Sequence, residues 1–386
     1  MKITRPAQRR AATVEIFSRK TTMRAWQVAA IGMGALGWSA SAWADASSVQ
    51  LWGVLDAGLT MVNNQKGQHN TVMDTGIASP NLWGLRGQED LGGGYRAVFE
   101  LTDQFNLGTG AIFPTNGGGL FGRTAYVGLA SDRLGKLTFG EQYDFMIDSL
   151  LRYDNSVAIA GLYGFRQGPF AGLGIPNNVT GSSNFDRMSG TAMPNAAKYV
   201  TPTWNGLSAG VMAGFGGVPG SIAQQSGQSA GVNYAIGALS LGAAYTYQRY
   251  PQLGSGMRGI RNFGAGATYA LGALTFNVLY TNTMNTANDA RIDVYQAGVR
   301  YQVDAALSVG GDYELMRGNS VLHDDRANQF SLGARYALSK RTVAYVEAVY
   351  QQVSGDDQPK AWIMAVSSPS DNNRQMLARV GILHRF

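Results

Sequence analysis

Cysteine is absent from this 386-residue chain, so neither disulfides nor thiolate metal sites can hold it together. That absence fits export if the fold is large and closed. Histidine is scarce: His69, His323 and His384 are all there is, and no zinc-ligand spacing, catalytic triad or phosphate loop can be read around them. Charged residues make up 15%, against roughly 25% in an ordinary soluble domain. After residue 45 there is no run of about 18 apolar residues, which excludes a spanning helix. No Pro- or Ser-rich linker and no charge run marks a domain boundary.

What is present begins with a leader. Met23 and Arg24 precede an apolar segment over residues 28–38, and Ala42-Trp43-Ala44 follows as a cleavage site. This reads as a secretory signal over residues 1–44, with export through the Sec pathway. The segment is too short to span a membrane, though a retained anchor is the competing reading. Residues 1–22 are either a long basic n-region or lie upstream of a start at Met23. The leader holds seven of the 31 basic residues and one of the 25 acidic ones, leaving 24 of each. The net charge of +6 therefore belongs to the leader and gives no reason to expect nucleic-acid binding.

Residues 45–386 alternate. Leu239, Leu241, Ala243, Tyr245 and Tyr247 share one face, and Ser240, Gly242, Ala244, Thr246 and Gln248 the other. That is the period of a strand with one apolar and one polar or small face. About sixteen such segments follow one another, each near the ten residues a tilted strand needs to cross a bilayer. Their centres are near Gly53, Leu85, Phe99, Tyr126, Phe139, Tyr199, Val211, Val232, Ala243, Ala265, Val278, Gly298, Val309, Gly333, Val346 and Val380. Tight turns, such as Asn205-Gly206 and Leu271-Gly272, alternate with longer polar connections expected at 63–78, 106–118, 217–227, 284–293 and 354–375. A soluble β-sandwich would alternate too, but its turns would not sort by length, and Tyr and Trp would not recur near strand ends as an interfacial girdle. The expected fold is all-β: a 16-stranded antiparallel transmembrane barrel in a bacterial outer membrane, touching its lipid.

One stretch breaks the pattern. From Asp144 to about Met193 the alternation stops, and roughly fifty residues rich in Gly, Asn and Ser follow, about ten times the median loop length. Connections that long are usually functional or disordered. The expectation is that this segment folds into the barrel and narrows the hole.

Several stretches together resemble the Gram-negative general porins, in particular the beta-proteobacterial type. They are Ser47-Ser48-Val49-Gln50-Leu51-Trp52-Gly53-Val54-Leu55-Asp56-Ala57-Gly58, Trp83-Gly84-Leu85-Arg86-Gly87-Gln88-Glu89-Asp90-Leu91-Gly92-Gly93-Gly94, Leu120-Phe121-Gly122-Arg123, Lys198-Tyr199, Tyr336-Ala337-Leu338-Ser339-Lys340-Arg341-Thr342 and Val380-Gly381-Ile382-Leu383-His384-Arg385-Phe386. The resemblance implies a homotrimer, a third extracellular loop inside each pore, and passive diffusion of small hydrophilic solutes and ions. It also implies that Phe386 is read by the barrel assembly machinery through the C-terminal strand. Leu82, Glu141 and Leu383 depart from the family pattern, where basic residues are usual. These departures leave its usual anion preference open.

The charges on the inward face are the candidate site. Parity directs Arg86, Arg96, Arg123, Lys198, Arg300, Arg335 and Arg379 inward, with Asp56, Glu100, Asp312, Glu314 and Glu347. Of these, Arg86, Arg96, Arg123, Lys198 and Arg379 are the expected basic wall of a constriction. Asp144, Asp148 and Asp154 are its acidic loop, accompanied by Arg152 and Arg166. A narrow low-dielectric hole focuses such charges, and opposed signs set up a transverse field. Glu141 shares parity with Leu137 and Phe139, hence points outward, and is expected in the trimer contact. Gly206-Leu207-Ser208-Ala209-Gly210 matches a nucleophile elbow, which requires strand, turn and helix; here it opens a strand. His323-Asp324-Asp325 is read as a solvated loop tip, with divalent-cation binding as the alternative. No catalytic residue, metal site or cofactor is expected. The functional expectation is a diffusion channel; the alternatives are a substrate-specific channel of the same fold and, more remotely, a barrel adhesin or enzyme.

Overall fold

The computed structural model describes residues 47–113 and 119–386; the expected leader, residues 1–44, lies outside them. The strands are β1 (Ser48–Gln65), β2 (Gln68–Thr75), β3 (Leu82–Gly92), β4 (Tyr95–Gln104), β5 (Thr124–Ser131), β6 (Gly135–Tyr143), β7 (Ala192–Val200), β8 (Leu207–Gly214) and β9 (Gly227–Ile236). They continue as β10 (Leu239–Arg249), β11 (Gly259–Leu271), β12 (Leu274–Asn285), β13 (Arg291–Gln302), β14 (Leu307–Gly318), β15 (Arg326–Ala337), β16 (Thr342–Ser354) and β17 (Arg374–Arg385). Each pairs antiparallel with the next in sequence, except that β2 and β3 both pair with β1 and not with each other, and β17 returns to β1, from Val54 opposite Arg385 to Val62 opposite Leu377. Closure leaves no unpaired edge, as a sheet immersed in lipid requires.

Seventeen paired segments make sixteen passes across the wall, because β2 and β3 are one interrupted pass. The first half of β1 pairs with β3 and the second half with β2. Between them, residues 76–81 leave the wall and turn inward, burying Ile77, Ala78 and Asn81. Asp56 holds this kink: its Oδ2 accepts from the backbone N–H of Ile77 at 2.7 Å and of Ala78 at 3.1 Å, and its own N–H donates to Asn81 Oδ1 at 2.6 Å.

Alternation decides which face meets which medium. Leu332 is 64% exposed, whereas its neighbour Ser331 is 1%; Phe139 is 52% exposed and Thr138 is 1%. Apolar side chains outside and polar ones inside invert the arrangement of a soluble sandwich and fit a barrel in lipid. Val127, Leu129, Val278, Phe330, Val346 and Val380 continue the outer apolar surface.

The short turns lie at the end that also holds Ser48 and Phe386; the longer connections lie at the other. Two connections differ from the sequence expectation. Residues 63–78 are mostly strand: β1 and β2 run on as a hairpin around Lys66 and Gly67, both at positive φ (52° and 84°), the backbone of a tight hairpin turn. Residues 284–293 are half strand, leaving 286–290 as the loop. The connections at 105–123 and 355–373 are long, as expected.

Candidate functional site: the loop inside the barrel

Residues 144–191, between β6 and β7, are built of short helical turns. A π-turn (Met146–Leu150) leads into a 3-10 turn (Leu151–Tyr153), then α1 (Asn155–Ala160) and further 3-10 turns at Gly161–Gly164 and Ala171–Leu173. Asp154 caps α1, accepting from the Val157 N–H at 3.1 Å. The apolar side chains of this loop are buried against the inner wall: Phe145, Met146, Leu150, Leu151, Tyr153 and Val157 meet Met193, Met212, Ala244 and Leu279.

The wall is shaped to receive them. Phe145 lies over Gly231, where an added Cβ would fall 2.7 Å from the Phe145 Cβ, and Tyr153 lies over Gly266, 2.7 Å from a Cβ there. Ile159 meets the wall at Gly310 and Gly333. Glycines on successive strands thus form a groove that lets the loop lie close to the backbone. The loop then reaches the opposite side. The Leu162 N–H donates to Ile77 O at 2.7 Å, and Tyr163 Oη donates to Thr60 Oγ1 at 3.2 Å and to Asp74. From β6 it therefore passes along β9–β16 to β1.

Three charged clamps fix it. Arg166, fully buried, contacts Asp154, Glu314 at 2.7 Å and Asp186 at 3.5 Å, and donates to Gln296 Oε1 at 3.0 Å. Arg187 contacts Asp144 at 2.5 Å and donates to Gln248 at 2.8 Å. Lys198 on β7 pairs with Asp148 and donates to Tyr143 O at 2.7 Å. For loop-borne Arg166 and Arg187, the surrounding carboxylates hold the guanidinium more firmly protonated than usual, against the opposing effect of burial.

The geometry redistributes the residues expected to face each other across the pore. Asp144 and Asp154 are buried and paired within the loop's own packing, so neither presents charge to the lumen. Asp148, 37% exposed at its side chain, does reach the lumen, but against Lys198. Arg123 is 8% exposed; its guanidinium donates to the carbonyls of Ser189 and Gly190 and lies 5.5 Å over the Tyr143 ring. Arg379 is buried among Asp56, Asp74 and Glu347, with Tyr345 Oη at 3.0 Å. Arg96 lies toward the turn end and pairs with exposed Asp132 at 2.6 Å. Arg86 remains on the open wall, half-buried, donating to Gln50 Oε1 at 2.9 and 3.0 Å. Alternation told which way these side chains point; what covers them depended on a loop whose path has no periodicity.

One wall residue escaped the sequence reading. Lys136 shares inward parity with Thr138, is half-buried, and lies 5.7 Å over the Tyr126 ring. Tyr126 Oη donates to Glu100 at 3.0 Å. Arg86, Lys136, Arg300 and Arg335 form no ion pair among the described residues. Glu141 lies on β6 opposite Ala125, half-buried. Phe386 exchanges backbone hydrogen bonds with Gly53 at 3.2 and 3.1 Å, and its ring covers that glycine.

Ser208 is the second residue of β8, which runs on as strand to Gly214, so no helix follows it as a nucleophile elbow requires. His323 Nδ1 lies 3.1 Å from Asp357. Among the described residues no group of three or more His, Cys, Asp or Glu is arranged to hold a metal.

Known proteins share this architecture. An outer membrane porin protein of Bordetella pertussis is 27% identical over 362 residues, covering 79% of this chain and 89% of its own. Among solved structures, an anion-selective porin from Comamonas acidovorans superposes with a TM-score of 0.72 at 24% identity, over 88% of this chain and all of that one. OmpT of Vibrio cholerae in its trimer form gives 0.61 at 15%, over 89% of this chain and all of its own. A family model described as Gram-negative porin matches residues 28–358. A closed lipid-facing barrel, a loop laid across its lumen and this match lead to one conclusion: the chain belongs to the Gram-negative porins, and is an outer-membrane channel for passive diffusion of solutes.

Proposed function

We propose that the open lumen favours anions, that the channel works as a homotrimer, and that it performs no chemistry on what passes. One observation carries the anion preference. Arg86, Lys136, Arg300 and Arg335 line the lumen without ion-pair partners, while loop acids Asp144, Asp148 and Asp154 are each matched by Arg187, Lys198 and Arg166. Glu100, opposite Arg86 on β4, accepts from Tyr126 and Thr102, and the inward acids Asp312 and Glu347 are buried. Surplus positive charge in a low-dielectric hole raises the local concentration of small anions. The anion-selective porin from Comamonas acidovorans has the same fold.

The trimer draws support from the trimer form of OmpT and from exposed Leu59, Met61, Met73 and Val127 on the early strands. In this reading Glu141 lies in the subunit contact and Phe386 is the signal for barrel assembly, after removal of residues 1–44. Reversal potential in planar bilayers under a KCl gradient tests the selectivity. The expected sign is that of chloride, diminished in Arg86→Gln/Lys136→Gln. A cation-signed potential in the unaltered protein would refute it. Large ohmic steps support general diffusion; block by one particular solute would favour a substrate-specific channel.

A further inference from the structure

On the short-turn side of the loop, three arginines come from alternate strands: Arg300 on β13, Arg335 on β15 and Arg385 on β17. Each is within two residues of the end of its strand. Their parity is inward: Gly298 and Gly333, two residues away, meet Asn155 and Ile159 of the loop, and Leu383 is 1% exposed. Arg335 is central, since β15 lies between β13 and β17 in the sheet.

Protein acceptors do not balance this group. None of the three is ion-paired among the described residues. The Nε–H groups of Arg300 and Arg335 are buried without an acceptor, and Arg335 makes one long hydrogen bond, 3.4 Å to Ile159 O. On the adjacent strand Glu347, opposite Gly333, has oxygens that lack donors and lies 3.8 Å from Arg379. Arg379 is already paired with Asp56 and Asp74, so Glu347 against the three guanidiniums leaves a surplus of planar, forked donors, the group best suited to binding oxyanions in two-point fashion. Buried donors without acceptors are costly unless something accepts from them.

We propose that Arg300, Arg335 and Arg385 form a binding subsite for oxyanions of two or more charges at the periplasmic mouth, separate from the narrow part of the pore. The site holds such an ion between the subunit's periplasmic opening and the loop, so that polyvalent anions saturate the channel where chloride does not. The inference rests on the channel reading but not on the anion preference, which the reversal potential reads separately.

Inorganic phosphate at pH 7.5 is the probe. Added to either side of bilayers holding the purified protein in KCl, it should reduce the chloride current saturably, and at lower concentration from the short-turn side. Arg300→Gln/Arg335→Gln/Arg385→Gln should raise the half-blocking concentration at least about tenfold, equivalent to about 1.4 kcal/mol. Arg86→Gln should move the reversal potential yet keep the block. Heat-resistant oligomer on gels checks folding, and if the triple variant fails to assemble, Arg335→Gln alone removes the central charge. Unsaturable, purely ionic-strength-like loss of current in the unaltered protein, or equal block in the variants, would overturn the subsite.

Discussion

Lys198 and Asp148 join β7 to the start of the inner loop at the edge of the open lumen. Lys198→Met should release the Asp148 carboxylate toward passing ions. A unit charge about 4 Å away in water-like surroundings is worth about 1 kcal/mol, so the chloride-to-potassium permeability ratio should fall by up to about fivefold. An unchanged reversal potential with intact conductance would show that Asp148 does not reach the ion path. At the loop end, Asp325 lies against Gly355, nearly buried. Burial pushes its carboxyl up to about 6, His323 opposes this, and Asp356 and Asp357 add to it. A raised acid favours its neutral form in the folded contact. That contribution is complete below the ordinary carboxylate range and is lost as pH rises through about 6. Amide exchange over residues 319–325 and 355–357 should accelerate between pH 5 and pH 7, and Asp325→Asn should abolish the difference. These two residues mark what sequence could and could not supply. Period two set the inward direction of Lys198, Arg123 and Arg379 correctly. It carried no information on Ser189, Tyr143 or Asp74, which cover or pair them from segments with no period.

At the level of elements, the inner loop is held by shape as much as by charge. Its apolar residues Met146, Ile147, Leu150 and Leu151 recur at helical spacing, a signal present in the sequence but masked by the Gly, Asn and Ser around them. The glycine groove was visible only as a small face on each strand; that those glycines on neighbouring strands line up follows from register. Gly266→Val should push Tyr153 off the wall, since a Cβ there already falls 2.7 Å from the Tyr153 Cβ. Overpacking of this kind costs about 1–3 kcal/mol, and single-channel steps should become smaller and noisier. Deleting residues 156–178 should act in the opposite direction, enlarging the steps and admitting larger sugars. Steps unaffected by both changes would mean that this loop does not set the narrowest section.

For the whole molecule, the outer face raises the question of neighbours. By alternation Glu141 falls on the face of exposed Leu137 and Phe139, where a carboxylate facing lipid would be unfavourable, though less so than the roughly 2–4 kcal/mol of a midplane Arg or Lys. If the subunit contact covers it, Glu141→Gln should lower the temperature at which oligomers dissociate and leave ion selectivity almost untouched. Intact oligomers with a clear shift toward anions would place Glu141 on the lumen instead. The sixteen passes, their sequential order and the two faces of the wall were all legible from alternation and turn length. The split of the second pass into β2 and β3 was not, because it depends on Asp56 capturing the Ile77 and Ala78 N–H groups.

With β2 and β3 counted as one pass, every pairing but one joins neighbouring passes, so the sheet can form pass by pass from local hairpins. The exception is the seam between β1 and β17, which ties residues more than three hundred positions apart and carries a loop-closure cost of roughly 5 kcal/mol. That cost falls on a single joint, and the hydrogen bonds between Gly53 and Phe386 stand at its outer limit. The wall therefore behaves as a zipper with one clasp. A chain that has formed all its hairpins still presents two raw margins to its surroundings, and becomes a vessel only when its first and last strands meet.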